Sequence, residues 1–290
     1  MKRLGLLGIV LVAACGSFGV QAHTVALGYK TGDTYKYALH IVMKYTIAAA
    51  GLSIPFNVDM TAKESVAVKS VDSAGTADLG VTVTDASVKT VMNGTSNTTA
   101  TTNPQSLDMK VAKDGRIVSI NGNAFANTSL GGVSGTQGGL ISAILPDKAV
   151  KPGDTWTKNF DQPNPFGSGS SHVTTDNKYL RDDNNAAVIE SKISGAINMA
   201  IDTSAMAGQT GTPLLPPTGT AGGVQSISIT GTSTSDVTSW IDLSAKRLVK
   251  THSTGSVNAT LTVNMTAGST TGLTGPITFK GTQTLDLTPA

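Results

Sequence analysis

The chain has 290 residues, 39% hydrophobic, 14% charged and 4% aromatic, with 41 Thr, 27 Ser and 32 Gly. Charge this sparse beside this much apolar content excludes a disordered acidic or basic tail protein, and the length allows one large or two medium domains. The formal charge is +2, and without Lys2 and Arg3 there are 19 basic against 19 acidic side chains, which leaves no net pull toward nucleic acid or anionic membranes.

Residues 1–22 read as an export signal. Lys2 and Arg3 form a positive start, and Leu4 to Ala14 form an apolar run of 11 residues, too short to span a bilayer as a helix. Two cleavage readings stay open. Val20-Gln21-Ala22 suits a general signal peptidase and would leave His23 as the new N-terminus, giving a soluble periplasmic or secreted protein. Val12-Ala13-Ala14-Cys15 resembles a bacterial lipobox, which would limit the signal to residues 1–14 and lipidate Cys15. That anchor would be the chain's one link to a membrane. Cys15 is the single cysteine, so no intramolecular disulfide can form and stability must come from core burial.

The first element is the clearest. Tyr35, Tyr37, Leu39, Ile41, Met43, Tyr45 and Ile47 occupy consecutive odd positions, with Lys36, His40, Lys44 and Thr46 between them. Side chains of a strand alternate between faces, so this is one long strand with one apolar face. Shorter alternating runs follow: Val66 and Val68; Leu79, Val81 and Val83; Leu107, Met109 and Val111. Beyond the middle come Ile197, Met199 and Ile201; Ile227 and Ile229; Val257, Leu261, Val263 and Met265; Leu285 and Leu287. Thr and Val fill these segments, as suits a pleated, half-buried surface. Turn residues separate them at Asp72 to Gly75, Lys113-Asp114-Gly115-Arg116 and Asp182 to Asn185. One short helix is expected over Gly138 to Leu145, stopped by Pro146. Leu130 to Gly139 and Ala205 to Gly223 read as loops. The expected fold class is all-β: long antiparallel strands in curved sheets, as a barrel, half-barrel or sandwich, with little helix.

Two anchors recur in the same order. Gly32-Asp33-Thr34-Tyr35 is echoed by Gly153-Asp154-Thr155-Trp156, and Asp108 to Val118 by Asp242 to Val249. They suggest two related halves, 23–147 and 148–290. In this reading Gly32, Asp33, Gly153, Asp154 and Trp156 are structural turn and repeat anchors.

The segment Leu145-Pro146-Asp147-Lys148-Ala149-Val150-Lys151-Pro152-Gly153-Asp154-Thr155-Trp156 resembles the mid-chain signature of an uncharacterised family of exported bacterial β-rich proteins. Members begin with a tyrosine-rich strand after a Gly-Asp turn, as at Tyr29 to Tyr37, and carry a later basic hairpin like Lys246-Arg247-Leu248-Val249. The resemblance implies export and an all-β fold, and carries no established activity. A second likeness, to periplasmic lipoprotein carriers whose curved sheet holds acyl chains, is a fold-level analogy only.

Catalytic patterns are mostly missing. Gly132-Val133-Ser134-Gly135-Thr136 lacks the second glycine of a nucleophile elbow, and no zinc-type histidine pair occurs. His23, His40, His172 and His252 lie far apart in sequence, and surface histidines on strands are more often neutral than metal-bound. Asp182, Asp183, Asn184 and Asn185 offer oxygens but fit no calcium-loop spacing. Trp156 and Trp240 are read as buried anchors.

The leading expectation is an exported non-enzymatic envelope protein with no cofactor, no catalytic residue and no metal site. It would bind an apolar small molecule or a lipoprotein. A structural envelope protein with a protein partner is the alternative, and a hydrolase using Asp33, Asp154 and His172 is a third.

Overall fold

The computed structural model describes residues 22–121, 142–163, 167–202, 224–265 and 275–290. Twelve strands account for most of them, and no helix occurs among the described residues. The first six are β1 (Thr34–Ala49), β2 (Leu52–Val71), β3 (Ala77–Met92), β4 (Thr95–Thr101), β5 (Gln105–Val111) and β6 (Ile117–Asn121). The second six are β7 (Thr155–Pro163), β8 (Gly167–Asp183), β9 (Ala186–Asp202), β10 (Val224–Asp242), β11 (Arg247–Met265) and β12 (Ile277–Pro289). β2 has 20 residues, which at about 3.3 Å per residue makes it roughly 66 Å long.

All strands belong to one antiparallel sheet in the order β6-β5-β3-β2-β1-β12-β11-β10-β9-β8-β7, with β4 beside β3. A sandwich is therefore excluded. The path is a meander in which the last strand returns to the first, from Tyr37 opposite Pro289 to Ala48 opposite Thr278. Tight turns make the meander regular. Ala50-Gly51, Asn93-Gly94 and Asn184-Asn185 each place two successive residues at positive φ, the twist that matches two-residue hairpins.

The alternation expected for β1 holds. Lys36, His40, Lys44 and Thr46 are exposed on one face, and Tyr37, Leu39, Met43 and Tyr45 are buried on the other. The same period runs through β2, β10, β11 and β12, so the sheet curls with its apolar face inward. The two edges, β6 and β7, share no ladder. Side chains close the gap instead. Gln162 Nε2 donates to the Ile117 carbonyl at 2.9 Å, and the Arg116 guanidinium lies 5.4 Å from the centre of the Phe160 ring. The result is a nearly closed barrel.

One end of it is stoppered by two extended segments. Leu27 N donates to Lys113 O and Gly28 N to Lys246 O, which ties residues 23–28 to two hairpin tips. His23 and Val150 form a bridge, and Ala143, Ile144 and Leu145 behind it are wholly buried. Ser142 to Leu145, which the sequence reads as the end of a helix, form no helix; the rest of that segment, and both predicted loops, lie outside the described residues. Buried amides need partners. Here Ser239 Oγ accepts from Ala143 N at 2.8 Å and Ser191 Oγ from Ile144 N at 3.0 Å. Ser191→Ala would orphan the Ile144 amide and is expected to lower stability by about 1–3 kcal/mol, measured by urea unfolding.

Candidate functional site

A ring of eight strands leaves an interior that side chains just fill. This ring has eleven strands, counting those on the main path. With strands about 4.8 Å apart and tilted ~40°, a regular cylinder of that size has a backbone radius near 11 Å. That is wider than two opposing layers of side chains need, unless the residues are large.

One wall has large residues. Leu39, Met43 and Tyr45 of β1, Phe56 and Met60 of β2 and Phe279 of β12 all point inward. Farther round the ring small residues stand among Ile193, Ile197 and Val257. Along β9 to β11 the inward rungs include Gly195 beside Ser233, Ser235 beside Gly255 and Gly231 beside Ala259. Inward residues at mid-strand are accordingly only half-buried: Ile41, Val83, Val88, Ile193 and Leu285. In a sheet whose other face is outside, that residual exposure opens onto the interior. The candidate site is this inward face, apolar along β1, β2 and β12 and carrying the hydroxyls of Ser233, Ser235 and Ser253 along β10 and β11.

Below it the small wall becomes a polar floor. Ser235 and Ser253 hydroxyls lie 2.9 Å apart, as do those of Ser239 and Thr251. Ser191 donates to Asn177 Oδ1 at 2.5 Å, and Asn177 Nδ2 donates to Trp156 O. Every buried side-chain polar atom among the described residues has a partner. The floor is therefore a finished structure and not an unfilled polar pocket.

Asp114 joins the floor to the seam. It is 6% exposed. Its carboxylate accepts from Arg116 Nε at 2.8 Å and Lys158 Nζ at 3.0 Å, and its carbonyl accepts from Leu145 N. Lys158 also reaches Asp147 at 2.9 Å. Burial alone would raise the Asp114 pKa. The hydrogen bond and charge of Lys158, followed by Arg116, outweigh it and hold the carboxyl below its ordinary value.

Glu64 is the exception on the apolar face. Residues 60, 62, 64, 66 and 68 of β2 share that face, so Glu64 stands among Met60, Ala62, Val66 and Val68. Its ladder neighbours are Tyr37 on β1 and Val83 on β3. Glu64 is half-buried, and the loss of solvent around it pushes its carboxyl up to about 7.

The turn anchors all carry structural hydrogen bonds. Gly32 N donates to Val68 O, Asp33 N to Lys30 O, and Val68 N to Asp33 O. Gly153 N donates to Tyr179 O, Asp154 N to Lys151 O, and Tyr179 N to Asp154 O. Asp33 accepts from the Tyr35 hydroxyl, and Asp154 from Lys151 N. Trp156 Nε1 donates to Ile144 O, on the stopper. Both tryptophans are half-buried rather than enclosed; Trp240 donates to Asp183, with Lys250 Nζ 4.2 Å from its ring centre.

The dispersed hydrolase site does not assemble. His172 is exposed and bonded to Asp161 across β7 and β8. Asp161 lies seven residues along from Asp154, a separation of about 23 Å on an extended strand. His40 and His252 are likewise paired with single carboxylates, Asp59 and Asp286. Asp182 accepts from Tyr179 Oη, and Asn185 donates to Ser244. No metal-holding group of three or more His, Cys, Asp or Glu occurs among the described residues. Cys15 and the leader up to Gln21 lie outside them.

No family model matches the chain, and no curated protein matches it. A solved structure concerned with lipid–protein interactions in lipovitellin is similar at TM-score 0.46 and 10% identity, covering 90% of this chain. The matched part is 26% of that chain. A likeness at this level carries no functional argument.

Sequence reasoning missed Glu64, Lys158 and the small-residue wall. For Glu64 the signal was present: the alternation through Val66 and Val68 extends back to Met60.

Proposed function

We propose that this protein is an exported, non-enzymatic carrier that holds an apolar molecule inside the barrel. One observation carries the reading. Apolar side chains on the inward face stay half-buried, and the same face carries Gly195, Gly231, Ser233, Ser235 and Gly255 along β9 to β11. Ligand pockets are concave, mostly apolar and marked by few polar groups, and the lumen has this character. Export rests on the leader at residues 1–22, with soluble and Cys15-anchored forms both retained. The matching hydrogen bonds at Gly32-Asp33 and Gly153-Asp154 support a doubled β unit as the origin of the barrel.

Ser233→Trp tests the lumen. Ser233 is half-buried on the small wall, and a Cβ built on Gly195 would lie 3.2 Å from its hydroxyl. In an open lumen the indole fills space, costs less than about 1 kcal/mol of stability and weakens binding of a fluorescent fatty-acyl probe about tenfold. In a filled core the same change costs about 1–3 kcal/mol and there is no probe binding to lose. Unfolding curves and probe titrations on the same samples separate the two.

A further inference from the structure

We propose that Glu64 is the head-group anchor of the lumen, and that the ligand is a single-chain amphiphile with a cationic amine at its end. The inference rests on the carrier reading and specifies its ligand.

The first argument is that nothing among the described residues neutralises Glu64. It makes no ion pair or hydrogen bond among the described residues, whereas Lys63 beside it turns outward to Asp85 at 2.8 Å. On β1 stand Tyr37, whose hydroxyl is committed to Leu248 O at 2.7 Å, and Tyr35, bonded to Asp33. On β3 stand Val81 and Val83. Tyr29 packs against Tyr35, and Arg247 lies over the Tyr35 ring at 6.0 Å without reaching Glu64. The segments beyond residue 22 that lie outside the described residues contain no Lys, Arg, Asp or Glu at all. From residue 22 onward, no cation of the chain pairs with Glu64, which leaves the place open to a cation from a ligand.

The second argument is position. Glu64 lies on the same inward face as the apolar wall and toward the stoppered end, since Gly32 N bonds to Val68 O only four residues on. A ligand entering tail-first would leave its head in the wrong place. One entering head-first would lay its chain along Met60, Ile41 and Leu285 with its amine at Glu64. A carboxylate in apolar surroundings is costly when alone, and an ammonium donor converts that cost into a charge-assisted hydrogen bond. With burial raising Glu64 to about 7, the anchor is neutral in acid and charged above neutrality.

The test compares dodecylamine with dodecanol on the full chain and on Glu64→Gln. Wild type is expected to bind dodecylamine about tenfold more tightly than dodecanol at pH ~8. Its amine affinity should rise from about pH 5.5 and level off above about pH 7. Glu64→Gln should lose the preference and the pH dependence while holding dodecanol within about twofold. Because Gln removes an unpaired carboxyl without changing shape, the variant's thermal midpoint at pH ~8 should not fall. If both proteins bind dodecanol but neither prefers the amine, the anchor is overturned and the carrier reading survives. If wild type binds neither compound, both are overturned. If the variant unfolds more easily at pH ~8, Glu64 is structural and the anchor is overturned.

Discussion

Asp114→Ala is expected to lower stability by about 3–5 kcal/mol, because it leaves Lys158 in the seam without its main partner. Lys158 is 15% exposed and keeps only Asp147, which is itself largely in solvent. The change removes a link between β6 and β7, where no ladder exists to compensate. Urea unfolding at neutral pH reads the loss. The pH dependence follows from the same group. A carboxylate whose folded pKa is depressed contributes its stability above its unfolded value, about 3.9, and loses it as pH falls through the folded value. Wild type should therefore lose stability in acid, through this group, below about pH 4. Asp114→Ala should lack that part of the acid loss. If instead the variant matches wild type at neutral pH, the seam is not held by this carboxylate.

Gly281→Val is the other large effect. Gly281 sits between Tyr45 on β1 and Val257 on β11. A Cβ there would lie 2.2 Å from Lys44 O and 2.3 Å from Tyr45 Cδ1. The ring could rotate; the backbone oxygen cannot leave without breaking the β1–β12 ladder. That ladder pairs the first strand with the last and joins the two halves of the sheet. The expected cost is about 3 kcal/mol or more. Gly281→Ala should be nearly as damaging, since the clash is at Cβ, and Tyr45→Ala should not rescue it. A Gly281→Ala protein with unchanged thermal unfolding would contradict this packing.

Much of the fold was legible because strands advertise themselves by a period of two. β1 was readable from seven apolar residues on odd positions, and the β5–β6 hairpin from Asp114-Gly115, where Gly115 has φ 91°. β4 was not readable: Thr95 to Thr101 are nearly all exposed on both faces, so no apolar alternation exists to find. Ser142 to Leu145 misled because a short apolar run ending at proline fits a helix or a buried extended strap equally well. The strap wins here because hydroxyls from β9 and β10 satisfy its amides, 47 and 96 residues away. The same distance problem hid the closure of the ring. Whether inward faces meet as a sandwich or curl into a barrel depends on pairing β1 with β12, and no local pattern encodes that.

The candidate site was less legible than the fold. The residues singled out at turns, Asp33 and Asp154, carry local hydrogen bonds. The lumen arises from what is small or missing on β9 to β11, and sequence patterns score what is present. Glu64 was legible only through the alternation from Met60 to Val68, which places one acid among apolar neighbours on a single face.

The most direct measurement is a crystal structure of the protein grown with a long-chain alkyl bromide, read by the anomalous signal of bromine. The account predicts a bromine peak inside the barrel, between the β1–β2 wall and the Gly195, Ser233 and Gly255 wall. A lumen filled by protein side chains, with bromine absent or bound only on the outer face, would contradict it.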